Sequence, residues 1–215
     1  MPAKRALGLS STGGVGQHRL TAAARTAEEC GFDGVWLLDD RTEDIARPNP
    51  AIVAALIAVS TSSIRVGARL LAGPGDDALR AAEHWSVVDN LSNGRLALFS
   101  DTPGEAHHRT VRDLWEGQEV RRPGPGGQDY VVRAFPPPCQ ARFPLWLMVR
   151  NGDQVAERVR HLSEEPMGVS VLADGLKVPR SVHDAAHEVV YRLDVEAAGD
   201  HLLEDITKLA GAHPA

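Results

Sequence analysis

A carboxylate and a guanidinium stand side by side at Asp40 and Arg41, shortly after the apolar run Gly34–Leu38. Such a pair can orient a polar group of a bound small molecule through charge-assisted hydrogen bonds. The same pair is also typical of an ion pair on a surface loop, which contributes little to stability. Both interpretations stay open from the residues alone.

Polar residues also end two later apolar runs. Ser100, Asp101 and Thr102 offer hydroxyl groups and adjacent backbone N–H donors, which can hold a phosphate, although the carboxylate of Asp101 would repel one. Arg150 follows the run Leu145–Val149 and could supply a positive charge to a ligand. A solvated loop arginine is the equally good alternative.

Histidine and cysteine give little sign of a metal site. His107 and His108 are adjacent, and adjacent residues of a helix point in different directions, so we expect a solvated or dimer-facing pair rather than a chelate. Cys30 and Cys139 have no convergent histidines, which argues against structural zinc. One disulfide between them is the alternative, but we expect both cysteines to be reduced thiols.

Composition narrows the range of partners. With 23 basic and 29 acidic residues the formal net charge is −6, which argues against a nucleic-acid-binding surface. No apolar run approaches the ~20 residues that a membrane span requires. The N-terminal residues 1–5 lack the apolar segment of a signal peptide, so we expect a cytoplasmic protein that acts on a small molecule.

The elements that would position these residues alternate between strand and helix in the first half of the chain. Four short apolar runs predict strands, and the helices between them imply parallel pairing, because parallel strands need crossovers. The predicted strands are Ala6–Ser10, Gly34–Leu38, Ile64–Leu71 and Arg95–Ser100. The predicted helices are His18–Cys30, a helix opened by Pro48 with Ile52, Leu56 and Val59 on one face, and a helix capped by Asp76 or Asp77. A β/α barrel and an open doubly wound sheet both satisfy this pattern.

The second half is less regular but adds further strands. The Pro/Gly-rich segment Arg122–Gln128 predicts a hairpin or loop excursion. Further predicted strands are Leu145–Val149, Met167–Leu172 and Val189–Val195; further predicted helices are His107–Glu116, Asp153–Leu162 and a last helix capped by Asp200. The length of 215 residues suits one domain over the whole chain, 1–215. We count six or seven strands in the predicted sheet.

Several segments resemble the luciferase-like flavin monooxygenase family, and together they cover roughly residues 20–160. The densest match is Ala82–Arg95. The other matching segments are Gly31–Trp36, Arg47–Pro50, Thr61–Gly67, Leu114–Gly117 and Phe143–Leu147. The resemblance implies a TIM-type α/β barrel, here with fewer than eight regular β/α units.

The resemblance also implies a cofactor and partners. Family members bind reduced flavin mononucleotide (FMN), or a deazaflavin, at the carboxyl ends of the strands, and many insert one oxygen atom into an organic substrate. This chain looks closest to the branch found beside natural-product assembly lines. That implies a secondary metabolite as substrate, either free or tethered to a carrier protein, and a separate flavin reductase.

Two departures from the family favour a second function. Typical members are roughly half as long again, and the family's active-site histidine falls on Arg41, which stays protonated and cannot act as a base. The alternative is therefore a degenerate barrel that binds a flavin or another small molecule, or performs a flavin-independent step, without oxygenation.

Strand-ending residues face the site of a parallel barrel. These are Ser10, Asp39 to Arg41, Arg69 to Leu71, Ser100 to Thr102, and Val149 to Asn151. We expect catalytic roles for Asp40 and Arg41. Cofactor contacts are expected at Leu71, Ser100, Asp101, Thr102 and Arg150, and no metal is expected. The family's most recognisable residues are expected to be structural: Glu83, Trp85, Asp89 and Arg95.

Binding of unmodified FMN is expected to be weak or absent. Tight small-molecule sites bury ~70–90% of the ligand, and the shortened chain lacks part of the wall that full-sized relatives provide. Asp39, Asp40 and Asp101 would also repel a dianionic phosphate unless an arginine such as Arg41, Arg69 or Arg150 compensates.

A homodimer is expected through the second and third helices, roughly Pro48–Ser60 and Asp76–Leu91. Four alanines of the second helix would permit close helix approach, and Trp85 would serve as an aromatic anchor if it faces outward. The alanines are Ala51, Ala54, Ala55 and Ala58.

Overall fold

Seven parallel strands close into a barrel in the computed structural model, in the order β1-β2-β3-β4-β7-β8-β9. The structure describes residues 4–10, 16–38, 49–70, 77–100, 106–124, 126–149, 167–173 and 187–212. The barrel strands are β1 (Lys4–Ser10), β2 (Gly34–Leu38), β3 (Arg65–Arg69), β4 (Leu96–Ser100), β7 (Leu145–Val149), β8 (Gly168–Ala173) and β9 (Glu188–Asp194). The predicted barrel with fewer than eight strands is thus confirmed for the described residues, and the open sheet is excluded.

Helices surround the barrel and follow its strands. They are α1 (Gln17–Glu29), α2 (Pro50–Ser60), α3 (Ala78–Ser92), α4 (Ala106–Trp115), the short α5 (Val195–Ala198) and α6 (Leu202–Ala212). The predicted helix at 153–162 lies outside the described residues. No helix in the described ranges combines the length and apolar character that a bilayer span needs.

The predicted hairpin is also present. Strands β5 (Val120–Pro123) and β6 (Asp129–Val132) pair antiparallel outside the barrel. Arg122 of this hairpin forms an ion pair with Asp77, 2.6 Å away, and so links the hairpin to the start of α3.

Capping side chains define where several helices begin. Asn49 accepts a hydrogen bond from the N–H of Ala51, so α2 begins at Pro50 rather than at the predicted Pro48. Asp77, one of the two predicted caps, accepts from the first turn of α3. Asp200 does not cap α6 as predicted, because it lies in a 3₁₀ turn that precedes the helix.

The face of α2 predicted from Ile52, Leu56 and Val59 is not the buried face of this helix. Ile52 and Val59 are 55% and 61% exposed. The face that packs on the barrel contains instead Ala51, Val53, Ala54, Ile57 and Ala58. Because α2 is apolar nearly all round, helical periodicity could not identify the buried side. Three of the four alanines assigned to the dimer interface therefore pack within the chain.

Inward-facing side chains fill the barrel and form a cluster separate from the helix-covered core. Trp36 lies at its centre, with the rings of Phe99 and Trp146 packed edge-on at 5.5 and 5.8 Å. Glycine provides the space for these rings. A Cβ on Gly67 would lie 2.1 Å from the Trp36 ring, and one on Gly168 would lie 2.5 Å from the Trp146 ring.

Candidate functional site

The residues of the interior cluster show which face of each strand points toward the barrel axis. Val190 and Leu38 belong to the interior cluster, and a Cβ on Gly8 would contact both of them. Because side chains alternate along a strand, residues two positions after an inward residue also face the axis. We call the resulting set at the carboxyl ends of the strands the mouth layer. It consists of Ser10, Leu38, Arg69, Phe99, Met148, Leu172 and Arg192.

The mouth layer has a polar side and an apolar side. Strands β9, β1 and β3 provide the polar members Arg192, Ser10 and Arg69, with the apolar Leu38 of β2 between Ser10 and Arg69. Nη2 of Arg192 lies 3.5 Å from Oγ of Ser10. The neighbouring strands β4, β7 and β8 provide Phe99, Met148 and Leu172, which are all buried. Such an arrangement can hold a flat apolar ring on one side and orient a polar or charged group on the other.

A buried polar network closes the barrel beneath the mouth. The carboxylate of Glu188 accepts hydrogen bonds from the indole of Trp36 at 2.6 Å and from Ser170 at 3.3 Å, and it pairs with Arg65. The Arg65 guanidinium also lies over the ring of Trp146, 4.5 Å from its centroid. Burial raises the pKa of Glu188, and Arg65 opposes this change. With the interior filled in this way, a ligand that enters from the carboxyl ends of the strands cannot pass below the mouth layer.

Ser100 and His108 meet behind the mouth layer. Ser100 ends β4 with its side chain buried, and its Oγ lies 3.5 Å from Nε2 of His108 in the first turn of α4. His108 is 3% exposed, so the expected solvated histidine pair is wrong for this residue. Nε2 of His107 is also buried, and no hydrogen-bond partner for it is found in the described part of the chain. Within the described ranges, no three His, Cys, Asp or Glu residues come together as a metal site.

Most of the predicted site residues lie outside the described residues. These are Asp40, Arg41, Leu71, Asp101, Thr102 and Arg150. Ser100 is described and does end β4, but its role in cofactor binding stays a prediction. Sequence reasoning noted Ser10 and Arg69 as strand ends and missed Arg192. Alternation along β9 could have identified Arg192 only once Glu188 was known to face inward.

Three of the family's most recognisable residues, Trp85, Asp89 and Arg95, make structural contacts within the chain. Arg95, at the start of β4, donates to the backbone carbonyls of Ala58, Thr61 and Ile64. The buried carboxylate of Asp89 accepts from the backbone and side chain of Gln140. Trp85 is 4% exposed and packs in the core, so it cannot be the outward dimer anchor.

A depression of about 530 Å³ opens at the opposite, amino-terminal end of the barrel. Arg65 and Arg95 line it, but their guanidinium groups are engaged by Glu188 and by backbone carbonyls. Parallel barrels place ligand chemistry at the carboxyl ends of the strands, whereas the amino ends serve stability. The mouth layer is therefore the candidate site.

A closed parallel barrel with its ligand-facing layer at the carboxyl ends of the strands is the architecture of TIM-type enzymes. The family description "luciferase-like monooxygenase" matches residues 3–131, more than half of the chain. The chain belongs to the luciferase-like monooxygenase family.

One curated relative is the alkanal monooxygenase alpha chain of Photorhabdus laumondii, with 37% identity over 79 residues. The match covers 36% of this chain and only 22% of that relative, so the shared segment spans about a fifth of the relative's length.

Solved structures share the fold over nearly the whole chain. The coenzyme F420-dependent tetrahydromethanopterin reductase of Methanopyrus kandleri has a TM-score of 0.59 at 16% identity, covering 98% of this chain and 62% of that one. The oxygenating constituent of 3,6-diketocamphane monooxygenase from Pseudomonas putida, in complex with FMN, has a TM-score of 0.54 at 14% identity, covering 100% and 65%. This chain thus spans slightly less than two thirds of the length of each.

Proposed function

We propose that this chain is a flavin-dependent oxidoreductase of the monooxygenase type, which takes up reduced FMN at the barrel mouth and oxidises a small organic molecule. The observation that carries the proposal is the two-sided mouth layer above a filled barrel, in a chain of the luciferase-like family. The similarity to one FMN-bound enzyme and one F420-dependent enzyme supports a flavin-type cofactor.

The residues of the mouth layer fit a flavin. Phe99, Met148 and Leu172 form an apolar surface on adjacent strands, suited to contact a planar ring. The filled interior below them excludes water from the underside of the site. When bound, a reduced flavin supplies two electrons and activates dioxygen. Asp40 and Arg41 are proposed to orient the substrate, and Leu71, Ser100, Asp101, Thr102 and Arg150 to contact the cofactor.

Anaerobic titration tests this proposal. We expect reduced FMN to bind weakly but measurably and oxidised FMN to bind more weakly still, as for a cofactor that diffuses in from a separate flavin reductase. Met148→Gln should weaken reduced FMN binding, because it places a polar amide on the apolar side of the mouth layer. Met167→Gln is the matched control, since Met167 is exposed at the opposite end of the barrel. The proposal fails if neither reduced FMN nor a reduced deazaflavin binds.

The second candidate is a barrel that binds a flavin or another small molecule without oxygenation. It is favoured by Arg41, which stands at the position of the family's active-site histidine. Oxygen uptake separates the two functions. Reduced FMN that binds the protein but reacts with dioxygen only as fast as free reduced FMN supports the second candidate.

The substrate class and the assembly belong to the same proposal. Resemblance to the natural-product branch supports a secondary metabolite, free or tethered to a carrier protein. A homodimer through α2 and α3 is supported by apolar side chains on the outer faces of these packed helices. The exposed residues are Ile52, Val59, Val87 and Leu91.

A further inference from the structure

The depression at the amino-terminal end of the barrel lies opposite the mouth layer, and we call it the amino-end depression. Its volume of about 530 Å³ falls within the range of small-molecule sites, roughly 300–1,000 Å³. The residues that line it all belong to the described ranges, and they come mainly from the starts of β1, β3, β4 and β7 and from the segments just before β2 and β8. Side chains from six strand ends can therefore contact one bound molecule.

Arg65 lines the amino-end depression with only part of its guanidinium group engaged. Nη1 of Arg65 donates to the carboxylate of Glu188, and this is the one hydrogen bond of the Arg65 side chain within the described ranges. The guanidinium carbon lies over the ring of Trp146, 4.5 Å from its centroid, and the Arg65 side chain is 20% exposed. A guanidinium group has five N–H donors, so donors of Arg65 remain for an anion in the depression.

Apolar side chains line the same depression. Trp146, whose ring lies under the Arg65 guanidinium, is accompanied by Ile64, Leu96 and Met167. Met167, just before β8, is 41% exposed, and a flexible thioether side chain can adapt to the face or edge of a planar ring. The depression thus offers a flat apolar group a contact surface beside a cation.

The charge of the amino-end depression is opposite to that of the whole chain. Lys4, Arg65 and Arg95 line it, and the acidic groups are Asp33 in the lining and Glu188 beside Arg65. Arg95 donates to backbone carbonyls rather than to a carboxylate, and Lys4 is exposed without an ion-pair partner in the described part of the chain. One positive charge is therefore in excess here, although the formal net charge of the chain is −6. This local excess favours an anion.

We propose that the amino-end depression is a second small-molecule site, which binds a planar organic anion such as an arene carboxylate. The anionic group contacts Arg65 and Lys4, because a guanidinium group can hold a carboxylate with parallel hydrogen bonds. The apolar body of the molecule lies against Ile64 and Met167. Parallel barrels perform their chemistry at the carboxyl ends of the strands, so the molecule is bound at this end without being converted. The site is therefore independent of the function proposed for the mouth layer.

Titration of the flavin-free protein with benzoate tests the second site. Benzoate at constant ionic strength should raise the thermal midpoint of the wild-type protein and change its tryptophan fluorescence, because Trp146 lines the depression. Benzyl alcohol keeps the ring without the charge, and acetate keeps the carboxylate without the ring. Each should bind roughly tenfold more weakly than benzoate, because one of the two kinds of contact is lost.

Substitutions of the two cations should weaken benzoate binding to different extents. Arg65→Lys keeps a positive charge beside Glu188 but loses the planar fork, and it should raise the Kd for benzoate roughly tenfold. Lys4→Gln should raise this Kd roughly two- to fivefold, as for a single exposed charge. Lys208→Gln is the matched control, because it removes the same charge from an exposed position on α6, and it should leave the Kd unchanged. Far-UV circular dichroism checks that each variant is folded.

Two methionine variants distinguish this site from the mouth layer. Met167→Gln should weaken benzoate binding and leave the binding of reduced FMN unchanged, whereas Met148→Gln should do the opposite. Folded wild-type protein that benzoate stabilises no more than acetate or benzyl alcohol does would overturn the second site. Benzoate binding that Met148→Gln weakens and Met167→Gln does not would also overturn it. Because the benzoate titrations contain no flavin, the second site can fail while flavin binding succeeds, and the reverse.

Discussion

The indole N–H of Trp36 donates a hydrogen bond to the carboxylate of Glu188, 2.6 Å away inside the barrel. Both side chains are fully buried, and 152 residues separate them along the sequence. The bond joins the second strand to the last one of the described barrel, and Arg65 and Ser170 bind the same carboxylate. This network therefore links side chains from four strands of the barrel through one buried carboxylate.

Replacing Glu188 should lower the stability of the fold. Glu188→Ala leaves the Trp36 N–H without its acceptor and the Arg65 guanidinium without its counter-ion, so we expect the free energy of unfolding to fall by about 3–5 kcal/mol. Chemical denaturation with circular dichroism measures the change. Glu188→Gln is the matched variant, because its amide can still accept from Trp36, and it should lose less. Equal stability of wild type and Glu188→Ala would show that the network does not hold the barrel closed.

The stability difference between wild type and Glu188→Gln should depend on pH. Burial raises the pKa of Glu188 above its ordinary value of 4.5, with Arg65 and the hydrogen bonds opposing. A raised folded-state pKa means that the folded protein binds this proton more tightly than the unfolded one. The stability gained from this tighter proton binding is complete below about pH 4.5 and is lost as the pH rises through the folded-state pKa. The stability of wild type relative to Glu188→Gln should therefore decline with rising pH over that window, and a flat difference would contradict the prediction.

The sequence allowed the barrel to be predicted but not its interior. Short apolar runs separated by helices indicate parallel strands, and Gly34–Leu38 and Leu145–Val149 were predicted with the bounds that the structure has. These strands are apolar on both faces, so no alternation in the sequence tells which side of Trp36 or Trp146 faces the axis. Glu188 itself lay one residue before the predicted seventh strand, and only the closed topology places it beside Arg65.

The sequence likewise predicts only part of the candidate site. Residues that end strands could be predicted to approach the mouth, as Ser10 and Arg69 do. Arg192 could not, because its inward direction depends on the register of β9 against β1.

The pKa of Glu28 is lowered, whereas that of Glu188 is raised, so the two residues predict opposite dependences of stability on pH. Its carboxylate, on α1, accepts from the backbone N–H groups of Ser62, Ser63 and Ile64 at 2.6–3.2 Å, just before β3. Burial opposes ionisation, but these donors together outweigh it and lower the pKa of Glu28 to about 2. A depressed folded-state pKa contributes stability that is present above the ordinary value of 4.5 and is lost as the pH falls toward about 2.

Glu28→Gln should therefore lower the free energy of unfolding at neutral pH by about 1–2 kcal/mol, through loss of charge-assisted hydrogen bonds. The difference in free energy of unfolding between wild type and Glu28→Gln should shrink as the pH falls from 4.5 toward about 2. Glu29→Gln, at the exposed neighbouring position, is the control and should change stability little. Thermal melting at pH 7 and pH 3 distinguishes the outcomes, and a difference that grows in acid would refute the assignment.

Gly67 should not tolerate even one added methyl group. Gly67 pairs with Trp36 across β2 and β3, and a Cβ there would lie 2.1 and 2.2 Å from two ring atoms of Trp36. Gly67→Ala should destabilise the fold by about 1–3 kcal/mol or more, because the buried ring must move. Gly211→Ala is the control: nothing lies within 4 Å of its added Cβ, and alanine favours helix α6. Differential scanning calorimetry compares the two, and a Gly67→Ala midpoint at the wild-type value would disprove the clash.

Light scattering at micromolar concentration should show a homodimer that forms through α2 and α3. The predicted anchor Trp85 and three of the four predicted interface alanines are buried within the chain, so the interface must use other residues. Ile52 and Val59 of α2 are exposed on the outer side of a helix that packs beside α3, which exposes Val87 and Leu91. Large apolar side chains on two adjacent helices form a surface that a second copy can bury.

Ile52→Asp or Val59→Asp would place a charge at the centre of that interface, where desolvation without a partner is costly, and should yield a folded monomer. Val131→Asp is the matched control, because Val131 is 51% exposed on the β5–β6 hairpin outside the proposed interface. A dimer that persists in both α2 variants but dissociates in Val131→Asp would move the interface to the hairpin. A wild-type monomer at the same concentration would rule out the dimer.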